Sequence, residues 1–345
     1  MKIEFKLTCL MALFVMFFAQ ATMGQVSKIT VMHNGNASFY GDLTAAVTAA
    51  AAGDTIYLPG GGINPSSQVI INKKLTIVGA GHYPDSTIAT NPTIVSNITL
   101  ITGADNGSIS GCKLNSISFG TTTNNQTVNN YRIERCYIVS LYLTYSSSSA
   151  SQGIIVRENV IDPSLYGEVS TILFEKNIFR SGLYYSSPAI FNNNIFYCSS
   201  SLNVDNSIIN NNIIITSTSY TISLGSNSVY NNNLFCTTNI LGGGNYNCGS
   251  TNVCNNNLSD QMAVNTFVNA TTTDFSYTNN YHLLPSSPAK NYGTDGTDLG
   301  IYGTLYPYKE AAMPFNPHIG SKNIGTVVSP TGNLSVDMKV SAQER

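Results

Sequence analysis

The sequence predicts an all-β fold, a parallel β-helix or solenoid in which each turn of the coil adds short strands to stacked sheets. One observation is a recurring phrase between residues 133 and 258: an apolar pair, two polar residues, an Asn and two more apolar residues. The other is a series of short apolar segments that are separated by Gly, Asn and Ser. A phrase that returns once per turn indicates a repeat architecture.

The Asn of each phrase is here called the anchor. Successive anchors are 17 to 24 residues apart, which suits a coil with loops of variable length. Asn tolerates a left-handed backbone, and its amide both donates and accepts hydrogen bonds along a stack. We expect the apolar residues after the anchors, such as Val160, Ile178, Ile195, Ile213 and Leu234, to fill the interior. The anchors, with Cys in the first position, are Cys136, Asn159, Asn177, Asn194, Asn212, Asn233 and Asn257.

Length and composition favour one elongated domain rather than several globular ones. The chain has 345 residues, of which 42% are hydrophobic, and this is enough for a large core. Only 10% of residues are charged and the formal net charge is -2, so we expect no nucleic-acid partner.

Residues 1–24 have the pattern of a secretory signal peptide. Lys2 and Lys6 precede an apolar run from Leu10 to Phe18, and small residues follow it. No later run has the roughly 20 apolar residues that a spanning helix needs. We therefore expect a secreted protein, extracellular or associated with the cell surface, that does not span the membrane.

The remaining chain divides into a β-helix domain over residues 25–310 and an extension over residues 311–345. Within the first, residues 42–52 predict a short helix, with Asp42 as its N-cap and Gly53 after its end. In the extension, alternating residues on either side of Ser329–Asn333 predict a β-hairpin. We expect this hairpin to cover the open C-terminal edge of the coil.

Several of these segments carry a family resemblance. The helix, "GDTIYLPGG", "VIINKKLTIVGAG" and the anchored turns resemble secreted right-handed parallel β-helix proteins of the pectate-lyase-like class. Residues 295–303 resemble the closing segment of bacterial exported members of that class. The resemblance implies a right-handed coil with a helix that plugs its N-terminal end. These are fold motifs, and they imply no activity.

Charged residues concentrate in three neighbouring turns. The position before the anchor holds Arg135, Glu158 and Lys176, and the position before that holds Glu134, Arg157 and Glu175. In the lyases that the fold resembles, cations stand beside carboxylates. A lyase for uronate-containing polysaccharide would therefore use Arg157 or Lys176 as base or neutraliser and Glu158 or Glu175 as metal or acid partner. Alternating charge also simply avoids like-charge repulsion between stacked strands.

Tyrosines offer a second candidate site. Tyr142, Tyr166 and Tyr184 each follow a Leu at similar distances from their anchors, so we expect the Leu to point inward and the Tyr outward. With Tyr145 and Tyr185 nearby, they would form a platform for a polysaccharide or cell-surface glycan. The alternative is a self-stacked ladder that only covers the coil.

Evidence for metals and cofactors is slight in the sequence. Asp295 and Asp298 flank a Gly in a turn and are candidates for calcium, which a lyase could use, although their spacing favours a turn-forming role. We otherwise expect no cofactor. The four His residues are scattered, and we expect surface or loop positions for all of them.

Six cysteines follow the signal peptide. The pattern favours buried core residues, as at Cys136 and Cys254, over a full set of disulfides, and if one bridge exists, Cys254 with Cys248 or Cys236 is the expected pair.

The leading functional hypothesis is a non-catalytic glycan-binding protein. A polysaccharide lyase and a structural adhesion module are the alternatives, and the sequence leaves the ligand and the oligomeric state open.

Overall fold

A computed structural model describes residues 28–121, 124–144, 151–217, 221–239, 244–315, 317–328 and 331–341. The predicted signal peptide and Tyr145 lie outside these ranges. The described chain forms a parallel β-helix of about nine turns, as the repeat predicts.

Three sheets run along the coil. Sheet 1 has twelve strands, antiparallel at its N-terminal end and parallel from Thr55–Tyr57 onward. In spatial order they are Asn36–Tyr40, Ile29–His33, Thr55–Tyr57, Thr76–Val78, Ser108–Ser110, Arg132–Glu134, Ile154–Arg157, Ile172–Glu175, Ile190–Asn192, Ile208–Asn210, Val229–Asn231 and Val253–Asn255.

Sheet 2 is parallel along ten strands, and an eleventh, Asn124–Asn125, pairs antiparallel with one of them. The ten are Gly61–Ile71, Thr93–Leu100, Lys113–Thr121, Tyr137–Tyr142, Val160–Tyr166, Ile178–Phe179, Ile195–Cys198, Ile213–Thr216, Leu234–Thr237 and Leu258–Met262. Sheet 3 is shorter, and its four parallel strands are Tyr184–Tyr185, Ser201–Val204, Ile222–Leu224 and Tyr246–Asn247.

A single left-handed residue turns the chain from sheet 1 into sheet 2. This residue, the position before the anchor, has φ between 52° and 59° in seven successive turns. We call these seven the αL column: Arg135, Glu158, Lys176, Asn193, Asn211, Asn232 and Asn256. The left-handed backbone was expected at the anchors, and that expectation is wrong by one residue.

The anchors themselves form a buried ladder, which confirms that they lie over one another. Asn194 shows the pattern: its Oδ1 accepts from the backbone N–H and the Nδ2 of Asn177, and its Nδ2 donates to Phe174 O and Asn212 Oδ1. The first six anchors are fully buried. Each amide thus satisfies groups in two neighbouring turns, which explains why the residue repeats.

Inside the coil, apolar side chains stack turn upon turn. Phe174 and Phe191 lie 4.7 Å apart with nearly parallel rings, and Phe179 and Phe196 lie 4.6 Å apart. These distances follow from the spacing of neighbouring strands, about 4.8 Å.

The residues directly after the anchors from Asn159 to Asn233 are fully buried, as predicted, but the prediction that they face this interior is wrong. They point out of sheet 2 and are buried by the C-terminal part of the chain. Gly300, for example, lies so close to Ile213 that an added Cβ would be 2.8 Å from its Cδ1. The interior side of sheet 2 is filled by the next residue of each turn: Ile161, Phe179, Phe196, Ile214 and Phe235.

The covering part is residues 263–315, here called the return segment, because it runs from the last turn back toward the first. It contains two 3₁₀ turns, Ala263–Asn265 and Glu310–Ala312, and two antiparallel strands, Phe267–Asn269 and Asn280–Leu283. Tyr281 contacts Tyr197 through their hydroxyls at 3.0 Å, and Tyr308 contacts Tyr83 at 3.3 Å. The segment therefore spans several turns of the coil.

The C-terminal hairpin is confirmed, with strands His318–Ile324 and Val336–Ser341 paired antiparallel. Its expected position is wrong. The return segment has already carried the chain back, so the hairpin begins beside the N-terminal turns, where Pro317 and Ile319 line a cavity of about 220 Å³ with Tyr57 and Leu58.

The N-terminal helix, α1 (Leu43–Ala49), packs Leu43, Ala46 and Val47 into the end of the coil. Asp42 caps it as predicted, accepting from the backbone N–H of Ala45 at 2.9 Å. The helix ends before the predicted residue 52, because the backbone at Ala50 is extended and Asp54 binds the N–H of Ala51.

Cys248 and Cys254 form a disulfide, one of the two expected pairs, while Cys112, Cys136, Cys198 and Cys236 are buried thiols. Among the described residues, no helix has the length and apolar character that crossing a membrane requires.

Candidate functional site

The charged turns and the return segment enclose a cavity of about 700 Å³, here called the charged groove. The coil supplies its floor through the αL column and the neighbouring outward residues of sheet 1. The return segment supplies the opposite wall. The lining residues are Arg135, Arg157, Glu158, Glu175, Lys176, His282, Tyr302, Thr304, Leu305, Tyr306, Pro307, Tyr308, Lys309, Glu310 and Phe315.

A buried ion pair forms one end of the floor. The guanidinium of Arg135 binds the Glu158 carboxylate, and both side chains are about 5% exposed. Arg135 also donates to Met313 O at 3.0 Å and lies under the ring of Phe315, 3.5 Å from its centroid. These contacts hold the return segment against the coil.

The next positions carry a chain of ion pairs. Arg157 lies 2.5 Å from Glu134 and 3.8 Å from Glu175, and Lys176 lies 3.0 Å from the other oxygen of Glu175. Burial alone would lower the pKa of Arg157, but the neighbouring carboxylates raise it above its ordinary value. Arg157 therefore keeps its proton and is unsuited to act as a base.

The wall of the groove combines a charged pair with aromatic rings. His282 Nε2 lies 2.7 Å from Glu310, and the imidazole stacks on Tyr302 at a centroid distance of 3.9 Å. Burial and the nearby Glu310 raise the pKa of Tyr302, so its hydroxyl stays protonated. Leu305 and Tyr306 project at the rim and are 87% and 77% exposed.

Arg135, Arg157 and Lys176 are each paired with a carboxylate, which neutralises their positive charge in the groove. The paired groups instead present donors and acceptors in fixed positions. Such an arrangement suits a polar ligand that offers both kinds of group rather than a strong anion.

Backbone strain sets this site apart from the rest of the coil. An αL conformation costs about 1–2 kcal/mol in most residues but less in Asn, which can bond locally. Later turns place Asn in the αL column, whereas the three turns at the groove place Arg, Glu and Lys there. Thr304, a β-branched residue in the wall, has φ 70°. Strain of this kind concentrates at functional sites.

The tyrosine platform is present only in part. Tyr142 and Tyr166 stack at 4.8 Å on the surface, above the inward-facing Leu141. Tyr184 is 72% exposed, but its backbone belongs to sheet 3 and pairs with Asn203.

Tyr185 is excluded from the platform. It is 3% exposed and packs against the core rings Phe174 and Phe191, because residues alternate across a strand and its neighbour Tyr184 points outward. Tyr145 lies outside the described residues.

The carboxylates of the two calcium candidates accept hydrogen bonds from residues of their own turn. Asp295 accepts from the hydroxyl and N–H of Thr297, while Asp298 binds Lys290 at 2.8 Å and the N–H of Asn291. Burial would raise the pKa of Asp295, but the bonds from Thr297 hold it below its ordinary value. No cluster of three metal-ligating side chains occurs among the described residues.

One histidine, His82, lies in a loop as expected but is buried rather than exposed. His82 is 1% exposed and packs among Tyr83, Tyr137 and Tyr277, because the return segment closes over it. His282, by contrast, is half-exposed in the groove wall.

Sequence reasoning missed every residue of the return segment that lines the groove, including His282, Tyr302 and Tyr306. These residues follow the last anchored turn and have no repeat to place them. The only signal was the density of Tyr and Pro between residues 302 and 308.

No family model matches the chain, and no curated protein is significantly similar to it.

Proposed function

We propose that this protein is a secreted, non-catalytic binder of an uncharged saccharide, which it holds in the charged groove. The observation that carries the proposal is a concave site in which paired, buried charges lie opposite exposed aromatic rings. The signal-peptide pattern of residues 1–24 supports export.

Saccharide chemistry fits these surroundings. A sugar ring has hydroxyl groups that donate and accept, and apolar C–H faces that pack on aromatic side chains. Arg157 and Glu175 supply the polar partners, and the exposed ring of Tyr306 supplies a flat surface. The volume, about 700 Å³, is in the range of small-molecule sites.

Binding of a panel of neutral oligosaccharides, measured by calorimetry, tests the proposal. Tyr306→Ala removes an exposed ring from the rim and is expected to weaken binding about tenfold. Tyr184→Ala is the matched control, because it removes a ring of similar exposure that lies outside the groove. Equal effects of the two substitutions, or no binding by the wild type, would contradict the groove.

The tyrosine pair Tyr142 and Tyr166 is a second possible contact for glycan. Its stacked rings cover each other on one face, which leaves less flat surface for a ligand than three separate rings would offer. Substitution of both by Ala is expected to change saccharide affinity less than Tyr306→Ala does.

A polysaccharide lyase is the second candidate, because the charged columns converge in a concave site, as catalysis requires. Against it stand the neutralised cations and the raised pKa of Arg157. Incubation with pectate, alginate and glycosaminoglycans, with and without calcium, would give an unsaturated product that absorbs ultraviolet light. Absence of that absorbance across the panel would exclude this activity.

A purely structural adhesion module is the third hypothesis. Such a protein would give neither the calorimetric signal nor the absorbance, but would still bind to whole cells.

A further inference from the structure

The outer face of sheet 1 continues directly from the charged groove. Arg157 and Glu175 line the groove, and the residues in register with them in the next turns are Asn192, Asn210, Asn231 and Asn255. The outer face of sheet 1 thus carries charged residues in the two strands at the groove and a row of amides in the next four strands.

These four amides form an outward ladder. Nδ2 of the last three donates to Oδ1 of the preceding one, at 3.0 Å from Asn255 to Asn231, 3.0 Å from Asn231 to Asn210 and 3.4 Å from Asn210 to Asn192. One bond uses only one of the two amide hydrogens and one of the two lone pairs. Each turn therefore keeps a donor and an acceptor for another molecule.

An aliphatic column runs beside the amides, two residues earlier in each strand. Ile190, Ile208 and Val253 are 40%, 42% and 51% exposed, and Leu173 and Val229 are in register with them. On its other side, Ile155, Leu173, Ile190 and Ile208 border a cavity of about 570 Å³, whose far edge includes Asn130 and Asn206.

Together these columns form what we call the amide trough: an apolar floor with the ladder Asn192, Asn210, Asn231 and Asn255 along one side and Asn130 and Asn206 on the other. The four strands from Ile190–Asn192 to Val253–Asn255 contain no charged residue. With strands about 4.8 Å apart, the six strands from Ile154–Arg157 to Val253–Asn255 span about 24 Å. This length exceeds that of a single sugar and suits a chain of several.

We propose that the amide trough binds the continuation of a neutral, linear polysaccharide whose end or inner segment occupies the charged groove. The proposal rests on the function assigned above and names its ligand class: an extended polymer rather than a free mono- or disaccharide. Repeating amides match repeating hydroxyls, the aliphatic floor matches the C–H faces of the rings, and the absence of charge in these strands matches an uncharged chain.

Chain length is the direct test. Affinities of the full protein for neutral β-linked oligosaccharides, from disaccharide to octasaccharide, are measured by calorimetry. Affinity is expected to rise with each added ring until the trough is filled. Equal affinity for short and long chains would overturn the trough while leaving the groove intact, whereas no binding at any length would remove the groove.

A substitution in the floor separates the two sites. Ile208→Glu places a charge on a half-exposed surface residue and should lower octasaccharide affinity about tenfold, without changing disaccharide affinity. Ile88→Glu is the matched control, since Ile88 is 78% exposed and lies outside both sites. An octasaccharide affinity that Ile208→Glu leaves unchanged would overturn the proposal.

The same variant tests a competing occupant of this face. If sedimentation shows a dimer that Ile208→Glu dissociates and Ile88→Glu does not, the face binds a second copy of the chain. That result would also overturn the polysaccharide trough.

Discussion

Two adjacent columns of the coil, the anchors and the αL column, lie at the same corner between sheets 1 and 2. They differ in how strictly the same residue repeats from turn to turn. The anchors keep the same residue, Asn, from residue 159 to residue 257, and successive anchors are bonded to each other along the whole column. The αL column has Asn only in its last four turns, and three of these Asn side chains bind the return segment. Nδ2 of Asn193 donates to Gly300 O, Asn211 exchanges bonds with Thr294, and Asn232 donates to Tyr292 O.

Where the αL column changes to Arg135, Glu158 and Lys176, the return segment and the coil enclose the charged groove between them. The contrast shows that repetition in this chain specifies the fold, while a departure from repetition at a strained position marks the candidate site. Substitutions in the two columns test whether the anchors determine stability and the αL column determines binding.

The largest effect is expected inside the anchor ladder. Asn194→Ala would remove the partner of two donors on Asn177 and of the Phe174 carbonyl, while Asn212 keeps its bond from the backbone N–H of residue 194, at a cost of about 4 kcal/mol of unfolding free energy. Urea denaturation measures it. Asn192→Ala in the same turn points outward and should cost less than about 1 kcal/mol. Similar losses would show that the ladder has no special role.

The next effect concerns the contact of the return segment with His82 and Tyr83, which is made by aromatic rings rather than amides. Burial, with a contribution from the charge of Lys113, lowers the pKa of His82 from 6.5 to about 3. The unfolded chain therefore binds a proton that the folded chain rejects, and stability present above pH 6.5 is lost as pH falls toward 3. At pH 4 the loss should be about 3 kcal/mol.

His82→Phe should remove this part of the acid sensitivity, measured as the difference in unfolding free energy between pH 7 and pH 4. His282→Gln, which changes a half-exposed histidine, serves as the control. The same pH dependence in wild type and His82→Phe would exclude His82 as its source.

The smallest effect is expected in the αL column itself. Lys176→Asn gives the groove turn the residue that the next turn already has at Asn193. It should raise the unfolding free energy by about 1 kcal/mol through relief of αL strain. Saccharide binding should weaken, because Glu175 loses its closest cation and the groove floor changes. A stabilised variant with full binding would separate the strain from the function.

The turns of the coil could be predicted from the sequence, but the return segment that covers them could not. The spacing of the Asn residues predicted the ladder correctly, because each anchor bonds to its own repeat. The face of Val160 and Ile178 was assigned wrongly. Two consecutive apolar residues in a strand indicate burial on both faces, and the second cover lies more than a hundred residues later in the chain.

The candidate site shows the same limit. Arg157 and Glu175 were found because their charges recur in register. His282, Tyr302 and Tyr306 were missed because only the path of the return segment brings them to the groove. Tyr185 was assigned to the surface by proximity to Tyr184, although strand alternation places the two on opposite faces.

The return segment also determines when, during synthesis, the outer side of sheet 2 can be buried. The outer side of sheet 2, with Tyr137, Val160, Ile178 and Ile195, remains apolar and uncovered until residues 263–315 have emerged. The nascent coil is therefore expected to be an aggregation-prone intermediate. Its apolar face is covered last, through contacts of very long sequence separation. A chain cut after the final turn would not be a shorter version of this protein but an aggregating one.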